Sequence, residues 1–326
     1  MAGSADAGLY PVALKRMHDI DKLKSNYLDI VDQLVENGGP SETQYSLYES
    51  VINHIYEISH GLTSNPEIID EFREHLGSSL SHSTLQGLAF FKPRGYAGDF
   101  KIIDRIYQNW VSPDPDMEKW DKFFQSRLAP LAVRNRKNYL VDLVKKLSTK
   151  IPALQVLDVG CGPCRDIKEC LETVEEDVQF TCVEMDSLAI DYARNLLGPV
   201  SDRIKFYQGH ALKSDISEYF DLVWSGGLFD YFSDRIFVFG LKRLIKHVKP
   251  GGRLVVGNFS VNNPTQKYME VVGDWFLNYR TEQQLIELAH KANLKFVDIS
   301  VDKTEDGVNL FLILQTIEQP PTRQMA

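Results

Sequence analysis

Val156-Leu157-Asp158-Val159-Gly160-Cys161-Gly162 is the stretch on which the fold of this chain turns. From Leu154 to Val159 the residues are mostly branched aliphatics, the composition of a central parallel strand covered on both faces. Two glycines follow where such a strand must turn beneath a helix. Glycine suits that turn because it lacks a Cβ and tolerates positive φ, so a ligand can approach the backbone. The next helix offers unpaired N–H groups at its start. A second strand is expected at Val178–Val183, ending in Glu184. That is about 20 residues beyond the turn, where an acid meets ribose hydroxyls in nucleotide-binding βαβ units. A dinucleotide fingerprint would place a third glycine at position 165, which is Arg165. Asp158 would also repel a pyrophosphate, whereas it suits an ammonium or sulfonium. The turn therefore favours an adenosine ligand that carries positive charge.

On these residues the chain resembles the class I S-adenosylmethionine-dependent methyltransferases, over roughly Leu154 to Ile317. The resemblance implies S-adenosylmethionine as cofactor, with Gly160 and Gly162 beside its methionine part and Glu184 on the ribose hydroxyls. Asp158, Met185, His210, Ala211, Ser225 and Arg134 complete the expected cofactor-binding set. Two departures stand out. The third glycine often found in the turn is Cys164, and the acid usual near the adenine after strand three is replaced by His210.

Composition bounds the function classes. The 326 residues allow one large domain or two, and 43% hydrophobic with 25% charged residues describes an ordinary globular protein. The net charge of -9, without a Lys/Arg stripe, disfavours nucleic acid as a partner. No apolar run reaches the ~20 residues of a membrane span, and Met1–Gly8 lacks the regions of a signal peptide, so a cytoplasmic location is expected. The four cysteines, Cys161, Cys164, Cys170 and Cys182, all fall in the first βαβ unit and read as small buried residues rather than a disulfide framework. Cys161-Gly-Pro-Cys164 has the spacing of a redox pair, but no second pair has ligand spacing, and no metal is expected.

Along the chain, helical periodicity runs from Pro11 to Val35 and stops at Asn37-Gly38-Gly39-Pro40. Further helices are expected at Glu42–Ser59 and beyond Asn65-Pro66. Residues 1–130 are thus expected to form a helical cap or substrate domain, through which a homodimer could form, and residues 131–326 the cofactor domain. Lys92-Pro-Arg-Gly-Tyr-Ala-Gly-Asp99 is the most unusual stretch outside the glycine turn. It suits a loop clasping a small polar ligand, which makes Arg94, Tyr96 and Asp99 candidate catalytic residues. Equally, Asp99 could simply cap a helix over Phe100–Trp110. Helices are expected at Met117–Arg127 and Pro130–Leu147. The second carries Arg134-Asn-Arg136-Lys137, either a solvated basic face or a holder for the carboxylate of cofactor or acceptor.

The remaining pattern alternates strand and helix. Strands are expected at Ile204–Gln208, Asp221–Ser225 and Leu254–Gly257, with a helix over Ile236–Val248 ended by Lys249-Pro-Gly-Gly252. A helix opened by Thr281-Glu-Gln-Gln284 and a terminal hairpin of Phe296–Val301 with Val308–Leu314 follow, and the Gln319-Pro-Pro-Thr tail is expected to fray. The expected fold is α/β: a doubly wound, seven-stranded, mostly parallel sheet of the Rossmann-like methyltransferase type with a helical N-terminal cap domain.

Methyl transfer is an in-line displacement, so the protein must align the acceptor and exclude water. Acceptors are expected above the strand ends, at Gly226–Tyr231 and Asn258–Ser260. Nucleic-acid amino methyltransferases typically carry Asn/Asp-Pro-Pro-aromatic after strand four. Ser225-Gly-Gly-Leu228 stands here, which points to a small-molecule acceptor. A carboxylate acceptor is already a nucleophile at neutral pH, while an alcohol or ammonium needs a base, for which His210, Asp99, Asp230 and Tyr96 are candidates. Lys92–Asp99, Arg134-Asn-Arg136 and Gly227-Leu-Phe-Asp-Tyr231 are also similar to segments of bacterial methyltransferases associated with making the methyl ester of 3-hydroxypalmitate. That resemblance implies O-methylation of a carboxylic acid held by Arg94 or an arginine of the last N-terminal helix. N-methylation of an amino acid or other metabolite, or a noncatalytic cofactor-binding role, are the alternatives.

Overall fold

A computed structural model of the chain describes residues 26–61, 64–214, 216–295 and 297–317. Leu154–Val159 forms the first strand, β1, buried at every position but one, as expected of a strand covered on both faces. The others are β2 (Val178–Glu184), β3 (Ile204–Gln208), β4 (Phe220–Ser225), β5 (Val248–Phe259), β6 (Val297–Lys303) and β7 (Asn309–Thr316). They form one seven-stranded sheet in the order β3-β2-β1-β4-β5-β7-β6. Strands β1 to β5 pair in parallel, and β7 lies antiparallel between β5 and β6. The order reverses between β1 and β4, and ligands of doubly wound sheets bind at the carboxyl ends of strands at such a switch point. This is the Rossmann-like methyltransferase fold expected above.

The described helices are α1 (26–36), α2 (Tyr45–His60), α3 (Glu67–Leu76), α4 (Leu85–Phe91), α5 (Phe100–Tyr107), α6 (Pro115–Gln125), α7 (Leu128–Ser148), α8 (Arg165–Thr173), α9 (Ser187–Leu197), α10 (Asp234–Leu244), α11 (Gln266–Val271) and α12 (Glu282–Lys291). The part of the Pro11–Val35 helix before residue 26 lies outside the described residues, as do Phe296 and the Gln319-Pro-Pro-Thr tail. The chain divides into two compact units. One is helical, drawn from Met1–Ala97, Val111–Gln125 and Gln266–Trp275. The other holds the sheet and is drawn from Gly98–Trp110, Ser126–Thr265 and Phe276–Ala326.

The helical unit has its own core. Tyr48 meets Trp120 and Phe123 with ring centroids 5.5 and 4.9 Å apart, and Phe123 meets Tyr268 at 5.4 Å. The buried Asp121 joins two loops by accepting from the N–H groups of Leu85 (2.7 Å) and Ser112 (2.8 Å). Arg73 donates to the carbonyls of Val271 and Glu270 near the end of α11, satisfying acceptors that a helix leaves unpaired there.

Within the sheet unit, α7 is pinned along its length. Asn309 Nδ2 donates to Ala132 O (2.6 Å), Asn135 Nδ2 to Asp306 (2.7 Å) and the Tyr139 hydroxyl to Asp302 (2.9 Å), while Lys137 pairs with Glu169 on α8. Ala132, Arg136 and Tyr139 share one face by helical spacing, so these ties fix where Arg136 sits. One expectation is corrected. Lys249-Pro-Gly-Gly252 does not merely end a helix but lies inside β5, at a register shift against β4. Gln315 donates to the carbonyls of Gly251 (2.6 Å) and Gly252 (2.9 Å), and Thr316 to that of Lys249 (2.7 Å), so side chains of β7 satisfy backbone acceptors there. The capping box at Thr281 and Gln284 is as read from the sequence.

Phe311 on β7 is fully buried and stacks on Tyr139 of α7 with centroids 3.9 Å apart, and lies 5.5 Å from Trp224 of β4. Phe311→Ala should cost about 3–5 kcal/mol in urea unfolding of the chain. A loss under about 1 kcal/mol would show that the α7–sheet seam does not depend on this ring.

Candidate active site

The turn after β1 has the expected conformation. Gly160 (φ 75°) and Gly162 (φ 55°) both adopt positive φ, and a Cβ built on Gly162 would meet nothing within 4 Å. Glu184 closes the turn. Its Oε2 accepts the Gly162 N–H (3.0 Å), while Oε1 accepts those of Met185 (2.7 Å) and Asp186 (3.0 Å). The carboxylate at the end of β2 thereby fixes the glycine turn as well as its own loop.

Cys164, standing where a third glycine is often found, has φ 56° at the start of α8. A non-glycine residue in that region is uncommon and carries some strain. Its sulfur converges with those of Cys161 and Cys182 within 4.8 Å, a group able to hold a metal ion and one not expected from the sequence. Burial pushes the Cys164 and Cys182 thiols well up, and hydrogen bonding to Cys164 does the same for Cys161. They therefore stay neutral, packed with the aliphatic core of β1, β2 and α8.

Around the turn, acids outnumber cations. Asp158 is 2% exposed, and its Oδ2 has no hydrogen-bond partner. Burial, then the nearby Asp166 and Glu184 carboxyls, pushes it well above the usual carboxylate range. Asp166 in the first turn of α8 is pushed up to about 6 by burial, although the Ile167 N–H (2.9 Å) and Arg136 oppose the shift. Asp230, after β4, is also pushed up to about 6 by burial; it accepts the Phe259 N–H at 2.6 Å. Among them lies the Arg136 guanidinium, 7% exposed, hydrogen-bonded to Tyr107 and 4.0 Å from Asp230 Oδ2.

Two further networks shape the rim. The buried Asp104 on α5 takes the Arg165 guanidinium through two of its nitrogens, together with the Tyr192 hydroxyl and the Gln108 amide. Arg280, 3% exposed, donates to Asn258 Oδ1 (2.7 Å), Phe232 O (2.6 Å) and Asp234 (2.9 Å), joining the segments after β4 and β5. There Gly257 admits a close approach, since a Cβ on it would stand 2.2 Å from the Gly226 carbonyl oxygen. Asp104, Tyr192, Arg280 and Gly257 were not singled out from the sequence. Their partners lie far along the chain or in backbone proximity, and no local pattern announces either.

Of the residues singled out, Asp158, Gly160, Gly162 and Glu184 come together at the turn. Ser225 is fully buried and donates to Val159 O (2.8 Å), tying β4 to β1. Met185 is 64% exposed beside Glu184; His210 is exposed, its Nδ1 accepting the Leu212 N–H (3.1 Å), and Ala211 follows half-buried. Arg134 is half-buried, two residues from Arg136 on α7 and therefore on another face. Asp99 caps α5, accepting from the N–H groups of Lys101 (2.8 Å) and Ile102 (3.2 Å). Arg94 and Tyr96 belong to the helical unit and Asp99 to the sheet unit.

Residues 156–252 match the family model described as a methyltransferase domain. No curated protein matches the chain. Among solved structures, a possible exported protein from Bordetella parapertussis is similar over 90% of this chain and 97% of its own, at 18% identity and a TM-score of 0.62, which is a likeness of fold. The magnesium protoporphyrin IX methyltransferase of Synechocystis PCC 6803, with bound S-adenosylhomocysteine, is 14% identical over 67% of this chain and 100% of its own, at a TM-score of 0.46. The N-methyltransferase NodS of Bradyrhizobium japonicum WM9 is 16% identical over 56% and 97%, at 0.41. The domain model falls on β1 through the start of β5, so the part of the chain that carries the glycine turn and Glu184 is a methyltransferase domain with the Rossmann-like methyltransferase fold.

Proposed function

We propose that the chain methylates a small carboxylic acid with S-adenosylmethionine as methyl donor. The observation that carries the cofactor side of this reading is the surplus of buried carboxyls around the glycine turn, above all the partnerless Asp158 Oδ2. A buried acid without a partner is costly, and a sulfonium or ammonium beside it offsets that cost. The open space at Gly162 and the turn's positive φ suit close approach of the methionine part, and Glu184 would receive the ribose hydroxyls. Met185, His210 and Ala211 would line the rest of the cofactor, while Ser225, fully buried against Val159, supports the site from below. When bound, S-adenosylmethionine supplies an electrophilic methyl group. The chain's own part is to hold the acceptor oxygen in line and to keep water out.

Structural partners held by three of the four candidate bases are compatible with an acceptor that needs none. Asp99, Asp230 and His210 each accept from a backbone N–H group. A carboxylate acceptor is already charged at neutral pH, so no proton has to be removed. The resemblance to enzymes of 3-hydroxypalmitate methyl ester formation points the same way. Four free, buried cysteines suit a reducing, intracellular compartment, and among the described residues no helix is long and apolar enough to cross a membrane.

Glu184→Gln should weaken S-adenosylmethionine binding about tenfold or more through loss of charge-assisted ribose hydrogen bonds, with the fold intact by circular dichroism. Unchanged affinity would remove the ribose assignment. The raised acids set a pH dependence whose sign is fixed. Asp166 and Asp230 are neutral below about 6 and charged above it, and a cation binds better beside charged acids. The ratio of S-adenosylmethionine to S-adenosylhomocysteine affinity, which isolates the sulfonium charge, should therefore rise from pH 5 to pH 7. A flat ratio across that window would contradict the electrostatic account.

A further inference from the structure

Arg136 is a buried guanidinium whose hydrogen bonding is incomplete. It is 7% exposed, its Nε has no partner, and Nη1 stands 4.0 Å from Asp230 Oδ2, beyond hydrogen-bond length. The Tyr107 phenol is hydrogen-bonded to it, but five N–H donors require more than that. The neighbouring acids do not fill the need. Asp230 Oδ1 is taken by the Phe259 N–H, and Asp158 Oδ2 is itself partnerless, so an unmet donor and an unmet acceptor coexist in one neighbourhood without meeting. Gly227 makes room for the guanidinium: a Cβ there would stand 2.7, 2.8 and 2.9 Å from Nη1, Nη2 and Cζ. Gly227 belongs to the segment after β4, at the carboxyl end of the sheet where ligands of such folds bind.

We propose that Arg136, seated on Gly227 and steadied by Tyr107 and Asp230, is the carboxylate receptor of this site. A planar fork of donors matches a carboxylate in two parallel hydrogen bonds, and a ligand carboxylate would complete the donor set that the protein leaves open. Arg134, the arginine of this helix in the expected cofactor-binding set, is half-buried on another face of α7. The proposal rests on the methyltransferase reading above, within which two ligands carry a carboxylate: the methionine part of the cofactor and the acid acceptor.

Calorimetric titration separates them. Wild type, Arg136→Gln and Gly227→Ala are titrated with S-adenosylmethionine and with decarboxylated S-adenosylmethionine, which lacks only the carboxylate. The S-adenosylhomocysteine-saturated proteins are then titrated with octanoate and octanamide. Gly227→Ala keeps the arginine but denies the guanidinium its seat, so it tests the role even where Arg136→Gln folds poorly. If the cofactor's carboxylate is the ligand, both variants lose about 10- to 100-fold in affinity for S-adenosylmethionine and almost nothing for the decarboxylated form. If the acceptor's is, cofactor affinities stand while octanoate binding, present in wild type and absent for octanamide, is lost. Equal losses for both cofactor forms, or no change in any arm, overturn the proposal while leaving the methyltransferase reading intact. Failure of the wild type to bind either cofactor form overturns that reading, and the proposal with it.

Discussion

Burial of more negative than positive charge beneath one glycine turn is the constraint on which the site depends. Asp158, Asp166 and Asp230 share the neighbourhood of the Arg136 guanidinium, and Glu184 lies near Asp158. Out of water, that imbalance is not screened away. It appears instead as carboxyls held above their ordinary range and as polar atoms on Asp158 and Arg136 with no partner. Such a site is incomplete alone. A ligand with positive charge near Asp158 and a carboxylate for Arg136 would complete it, and an α-amino acid sulfonium carries both.

The fold maintains this arrangement by pinning every element that contributes to it. Glu184 holds the glycine turn against the end of β2, and Ser225 holds β4 against β1. The terminal hairpin grips α7 through Asn309, Asp306 and Asp302, so that Arg136 cannot turn outward without breaking those ties. Asp104 does the same for Arg165 at the start of α8, and Arg280 for the segments after β4 and β5. These hydrogen bonds are directional, and each removes freedom from a residue that would otherwise have many rotamers.

Much of this was legible in the sequence because it is local. The aliphatic run of β1, the glycines after it, the acid closing β2 and the capping box at Thr281 are patterns within a few residues, and all fall where expected. What was not legible is long-range. Nothing near Asp104 announces that it will clamp Arg165 and Tyr192, and nothing near Gly257 shows that the Gly226 backbone will lie against it. In Arg134-Asn-Arg136 the two arginines are alike in sequence, and only the position of α7 on the hairpin separates the half-buried one from the buried one. Lys249-Pro-Gly-Gly252 reads as a stop signal, yet side-chain donors from β7 let a strand run through it.

A glycine turn set beside the buried Asp158 carboxyl should bind a cationic adenosine ligand and refuse a pyrophosphate. Calorimetric titration of the purified chain with S-adenosylmethionine, S-adenosylhomocysteine and NAD tests it in one experiment. One-site binding of the first two, with none of the dinucleotide, is the predicted result. Binding of NAD with no response to either sulfur compound would contradict it, because the Asp158 carboxyl would then be serving a pyrophosphate that it should repel.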